Sequence, residues 1–109
     1  MGIFSETIAA DLHSKKIRPL VFKLNSIILM DKVLDFLNEQ KYEIDLFSKD
    51  YREIHFFDGS VEYTFSFVDD GNSSIMQIIL FTTTKKFSKK KLLLAMIDKV
   101  KKCLGDYLL

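Results

Sequence analysis

The feature that most limits the folds open to this sequence is a change of apolar period at Tyr42. Upstream, Ile27, Met30, Val33, Leu34 and Leu37 recur at helical spacing, which places them on one stripe of a helix. From Tyr42 the period is two. Tyr42, Ile44 and Leu46 alternate with Glu43, Asp45 and Phe47. Ile54 and Phe56 alternate with Glu53 and His55, and Val61, Tyr63, Phe65 and Phe67 with Glu62, Thr64 and Ser66. Successive side chains on a strand point to opposite faces, so each run reads as a strand with one buried face. Asp58-Gly59 is a two-residue hairpin turn, and Asp69-Asp70-Gly71-Asn72 is a second turn. Residues 74–83 are apolar on both faces and close a four-stranded antiparallel meander.

Helical spacing returns after Ser88, a capping residue. Over about 89–107, Leu93, Met96, Ile97, Val100, Cys103, Leu104 and Tyr107 form one broad stripe, with Lys91, Asp98, Lys99 and Lys102 opposite. That stripe is the natural cover for the inner face of the sheet. A helix over about 27–40 is capped by Asn25 or Ser26. Phe4, Ile8 and Leu12, four residues apart, predict a peripheral helix over 4–16. Pro19 suits the start of an edge strand, and Leu20–Phe22 would then be a fifth strand. The chain reads as one α+β domain, with 1–16 peripheral and 18–108 as core. The order β-α-β4-α over 18–108 resembles the TATA-binding-protein-like and helix-grip folds, whose helices lie on one side of a curved sheet. That resemblance implies nucleic-acid, lipid, apolar-ligand or adaptor roles without choosing among them.

The composition agrees with a folded domain. With 109 residues, 48% of them hydrophobic, and ten Phe and four Tyr, the chain has apolar surface enough for one core. A single Cys makes no internal disulfide, and no run approaches the ~20 apolar residues of a membrane span. The N-terminus matches neither a signal peptide nor a myristoylation site. These features predict a cytoplasmic protein.

The net charge of +1 conceals an uneven distribution. Residues 85–109 hold eight basic residues against two acids, Asp98 and Asp106, while residues 1–84 hold eight against thirteen. Lys85, Lys86, Lys89, Lys90, Lys91, Lys99 and Lys102 are candidate anion-binding residues. Lysines in the first turn of a helix oppose its dipole, yet they suit an anion held at free N–H groups. Arg is scarce, Arg18 and Arg52 only, so bidentate phosphate or base recognition is not expected.

The outer sheet face is the second candidate. Pairing Phe57 with Ser60 across the turn, and Ser48 with Arg52 across a three-residue loop, sets Asp45, His55 and Glu62 in one cross-strand row. Two flanking carboxylates favour the imidazolium form of a histidine. The row reads as a charge ladder rather than a metal or acid–base site. Phe47, Phe57, Ile75, Ile79 and Phe81 share that face, a large apolar area to leave wet. The candidate partner-binding residues are Phe47, His55, Phe57, Glu62, Ile79 and Phe81. The expected covers are the N-terminal helix, a second copy or another protein. Acids on this face argue against nucleic acid lying there.

Phosphate-loop glycines, metal-ligand Cys/His clusters and nucleophile elbows are absent, so no catalytic residue, metal or cofactor is assigned. His13 has no evident partner, and Cys103 is expected in the core. The functional expectation is a non-catalytic interaction or adaptor domain that self-associates or binds a protein through the outer sheet face. The alternative is a module for anionic lipid or nucleic acid using the basic start of the last helix. A second alternative is a carrier of an apolar small molecule, lined by Phe56, Phe65, Phe67, Met76 and Met96.

Overall fold

The computed structural model describes residues 6–10, 17–83 and 88–109. Six strands and two helices follow one another. They are β1 (Glu6–Ala10), β2 (Leu20–Phe22), α1 (Ser26–Glu39), β3 (Glu43–Ser48), β4 (Glu53–Asp58), β5 (Val61–Asp70), β6 (Ser73–Thr82) and α2 (Lys89–Leu104), with a 3-10 turn over Gly105–Tyr107. All strand pairs are antiparallel, in the order β3-β4-β5-β6, with β1 and β2 sharing the remaining edge of β6. Both helices pack on one face of this α+β sheet.

Local chemistry sets the ends of the helices. Asn25 caps α1, its side chain accepting from the Ile28 N–H at 3.0 Å. Helix α1 stops where Lys41 takes a left-handed φ of 62°. The Lys41 N–H then donates to the Asn38 carbonyl and the Tyr42 N–H to that of Leu37, the paired bonds that close a helix around a left-handed residue. Ser88 caps α2 by accepting from the Lys91 N–H. The last regular helical residue is Leu104, three short of the expected Tyr107.

The core lies between the helices and the inner sheet face. Leu29, Met30, Val33, Phe36 and Leu37 from α1, and Leu93, Met96, Ile97, Val100 and Leu104 from α2, meet Ile54, Phe56, Tyr63, Phe65, Phe67, Met76, Ile78 and Leu80. Phe56 sits at the centre of an aromatic group. It stacks on Tyr42 and Tyr63 at 5.2 Å each and meets Phe65 edge-on at 5.0 Å, geometries that add to simple burial. Burial, then Asp58 and Tyr42, push the Tyr63 hydroxyl pKa far above its usual value.

Several expectations are corrected here. Residues 6–10 form a strand, not part of a helix. A spacing of four is two whole strand periods as well as about one helical turn, so Phe4, Ile8 and Leu12 fit either. The ten-residue β6 pairs with only three residues of β2, and the backbone groups left over on that edge recruit β1. The rest of the expected 4–16 helix lies outside the described residues, His13 included.

The β4–β5 hairpin is offset from the expected pairing by two residues. Asp58 pairs with Val61, so the loop is Gly59-Ser60, and His55 faces Thr64 instead of Glu62. Gly59, with φ 61°, takes the first loop position, the glycine position of a type II′ turn rather than a type I′ turn. The β5–β6 hairpin repeats this with Gly71, φ 66°.

The β3–β4 loop has four residues, not three, because Ser48 pairs with Glu53. Ser48 Oγ accepts from the Tyr51 N–H, while the Arg52 side chain donates to the Lys49 carbonyl and to Ser26 Oγ. A bulge at Asp45 absorbs the additional residue, so the expected pairing of Ile44 with Phe56 is recovered beyond it. The bulge turns Leu46 outward and Phe47 toward the core. Cys103, at the end of α2, is exposed rather than buried.

Candidate interaction surface

The registers build the helix-free face row by row. One row runs Glu43, Phe57, Glu62, Phe81 and the next Leu46, His55, Thr64, Ile79, Ala9. Farther along, Val68, Ile75 and Val21 form an apolar row on the same face. Leu46, Val68 and Phe81 are 38%, 40% and 36% exposed, while Phe57, Ile75 and Ile79 are half-buried by their neighbours. No helix among the described residues covers this face. The expected cover, an N-terminal helix, is removed at 6–10, because that segment is part of the sheet itself.

Charge on this face has one sign. Strands β3 to β6 contain seven acids and no Lys or Arg. Glu43 and Glu62 flank Phe57 on the outer face, and Glu53 stands one row away beside His55, 3.0 Å from its Nε2. The expected row of Asp45, His55 and Glu62 is not formed. Asp45 sits in the bulge, His55 pairs with Leu46 and Thr64, and Glu62 pairs with Phe57 and Phe81. The partner of His55 is Glu53, two residues away on its own strand. Of the candidate partner-binding residues, His55, Phe57, Glu62, Ile79 and Phe81 share the outer face, and Phe47 does not. Val68 was legible by its alternation with Phe67. Leu46 was not, since nothing in the sequence announces the bulge.

The candidate anion-binding lysines divide. Lys85 and Lys86 lie outside the described residues. Lys89 is half-buried and engaged with a neighbour. Lys99 donates to the Tyr42 hydroxyl at 2.9 Å, a bond that raises its pKa. Its ammonium lies 5.6 Å from the ring centroid, at the hydroxyl end rather than over the face. Lys90, Lys91 and Lys102 are exposed on the outward side of α2. Lys101, which the helical stripe also places there, joins them.

A third polar constellation ties the elements together. Asp69 of β5 accepts from both the backbone N–H and the hydroxyl of Ser26, each at 2.8 Å. Arg52 donates to the same hydroxyl from the other side at 2.8 Å and lies 3.9 Å from Asp69. The Ser26 bonds hold the Asp69 carboxyl below its ordinary pKa, with Arg52 adding to the effect. These groups are saturated by one another and by the start of α1, so they position the loop instead of presenting a reactive atom.

Among the described residues no trio of His, Cys, Asp or Glu side chains is placed to hold a metal ion. Phe56, Phe65, Phe67, Met76 and Met96, the residues named for an internal ligand site, are all buried in the core cluster. An open depression of about 290 Å³ at the end of the sheet is lined by polar residues and by Tyr42 and Phe57. No described helix is long and apolar enough to cross a membrane. Comparison with protein-family models, curated proteins and solved structures finds no match, so the likeness to TATA-binding-protein-like and helix-grip folds is one of element order.

Proposed function

We propose that this domain is a non-catalytic protein-interaction module and that its helix-free sheet face is the docking surface. The observation that carries this is the composition of that face. Phe57, Phe81, Ile79 and Leu46 stand among Glu43, Glu53 and Glu62, with no Lys or Arg on strands β3 to β6. An apolar patch ringed by charge of one sign is the pattern of an interface. Its complement is a surface both basic and apolar. A protein supplies that combination, and a phosphate backbone does not.

The test is a titration of the labelled domain with a lysine- and leucine-rich helical peptide, followed by amide NMR shifts. The expected result is shifts gathered at His55, Phe57, Glu62, Ile79 and Phe81, lost in a Phe57→Ser/Phe81→Ser variant. Shifts gathered on α2, or none at all, would overturn the proposal.

One observation favours a second reading. The ammonium groups of Lys90, Lys91, Lys101 and Lys102 point outward from one helix, the arrangement expected of a contact with anionic lipid or nucleic acid. Salt-dependent retention on heparin, lost on replacing these four lysines by alanine, is its test. Early elution of both proteins would dismiss it.

A further inference from the structure

We infer that the partner of the helix-free face is a second copy of this chain, whose α2 lies on it head to tail. This rests on the docking role just proposed for the sheet face and names its occupant.

The charges make the match. Strands β3 to β6 carry seven acids and no Lys or Arg, and α2 carries six Lys against one acid, Asp98. Lys90, Lys91, Lys101 and Lys102 are exposed on the side of α2 away from the core. Leu94 lies among them, 41% exposed, an apolar side chain suited to the apolar part of the sheet face around Leu46 and Ile79. The inward side of α2 is used up by the core, so its outward side faces away from the sheet. The acidic-apolar and the basic surfaces therefore lie on opposite sides of the molecule, and one copy cannot bring them together by itself.

A two-fold contact through either of these surfaces matches like charge with like. Sheet against sheet would set acids against acids, with no Lys or Arg on β3 to β6 to meet them, and helix against helix would set lysines against lysines. Only the heterologous arrangement satisfies both surfaces, and a heterologous contact that does not close continues from copy to copy. The dimensions agree. Sixteen residues of helix span about 24 Å, and five strand positions about 4.8 Å apart span about 20 Å. A net charge of +1 leaves little overall repulsion between copies. One helix face covers less than a standard interface, so the association is weak and falls with salt.

Sedimentation velocity over a concentration series, at low and at high salt, tests this. Four samples are compared: wild type, Glu43→Lys/Glu62→Lys, Lys91→Glu/Lys101→Glu, and an equimolar mixture of the two variants, each variant checked for native circular dichroism. The expected wild-type result is a sedimentation coefficient that climbs with concentration without a dimer plateau and falls back at high salt. Each variant alone is weakened by roughly tenfold or more, and the mixture regains association because the reversed charges match. The wild-type series needs no variant. Wild type that stays monomeric at low salt, or stops at a dimer, overturns the inference. If the sheet variant loses association while the α2 variant keeps it, α2 is not the occupant and the docking role of the sheet face stands. A titration in which the basic peptide shifts nothing on the sheet face overturns that role instead.

Discussion

Asp69, near the end of β5, accepts two hydrogen bonds from Ser26, the first residue of α1, one from its backbone N–H and one from its hydroxyl. Ser26 is fully buried, and it also receives the Arg52 guanidinium. One carboxylate therefore joins the far end of the β5–β6 hairpin, the β3–β4 loop and the start of a helix forty-three residues away in sequence.

The Asp69 carboxyl is held below its ordinary pKa by the Ser26 bonds. A group whose folded pKa is depressed stabilises the fold above its unfolded value, about 3.9, and that contribution is lost as pH falls through the folded value. Asp69→Asn is expected to be less stable than wild type at neutral pH, with a gap that closes as pH drops below about 4. Urea unfolding midpoints at pH 7 and pH 3 check this. A gap of equal size at both would exclude the charge as its source. Asp69→Ala is expected to cost about 1–3 kcal/mol at pH 7, since it strands buried donors on Ser26.

Lys41 closes α1 at a φ of 62°, where a side chain is disfavoured and glycine is not. Its backbone bonds to Asn38 and from Tyr42 to Leu37 need only the main chain. Lys41→Gly is expected to raise stability by about 0.5–1 kcal/mol, read as a higher denaturation midpoint at unchanged slope. Arg52, with φ 57°, differs. Its side chain holds Ser26 and Lys49, so Arg52→Gly is expected to destabilise.

Phe56 and Phe57 are neighbours with opposite fates. Phe56 is fully buried in the aromatic group, and Phe56→Ala is expected to cost about 3–5 kcal/mol, a large share of a domain's stability. Phe57→Ala, on the outer face, is expected to change stability by no more than about 1 kcal/mol while weakening any contact made there. Equal losses in thermal unfolding would mean the faces are assigned wrongly.

The bulge at Asp45 makes a similar pair one turn of chain away. Leu46→Lys, outward, is expected to be tolerated within about 0.5 kcal/mol, and Phe47→Lys, packed against the core, to cost more than about 2 kcal/mol. A strand without the bulge predicts the reverse order, so two melting curves decide between them.

Cys103 is exposed in the folded chain. An aromatic disulfide reagent is expected to label it fully without denaturant, at the rate of an accessible thiol. Labelling that required urea would place it back in the core.

These contrasts show what was readable in the residues. Alternation from Val61 to Phe67 announced both faces of β5, and capping chemistry at Asn25 or Ser26 and at Ser88 announced both helix starts to within a residue, because each depends on a few adjacent side chains. What escaped depends on contacts distant in sequence. The four-residue β3–β4 loop is held by Arg52 reaching Ser26, and its added residue forces the bulge that exchanges Leu46 and Phe47. A glycine at a turn was visible, yet whether it takes the first or second loop position moved every partner by two. That shift preserved the faces, which is why Phe57, Glu62, Ile79 and Phe81 were gathered correctly while the Asp45, His55 and Glu62 row was not. The spacing of Phe4, Ile8 and Leu12 suits a strand or a helix, and for residues 6–10 the pairing with β6 decided between them.

The way β6 serves two partners on one edge carries a consequence for how this chain tolerates change. Ala10 pairs with Ile78 and Leu20 with Met76, so nine residues of the first segment pass while β6 advances past Gln77 alone. Each strand takes its register from β6 directly and neither takes it from the other. A change in the length of their connection therefore alters the register of neither strand against β6, provided that Ile17, buried in the core just before β2, is kept. The spelling of this half of the sheet thus resides in β6, and the two strands that read it are independent of each other in register.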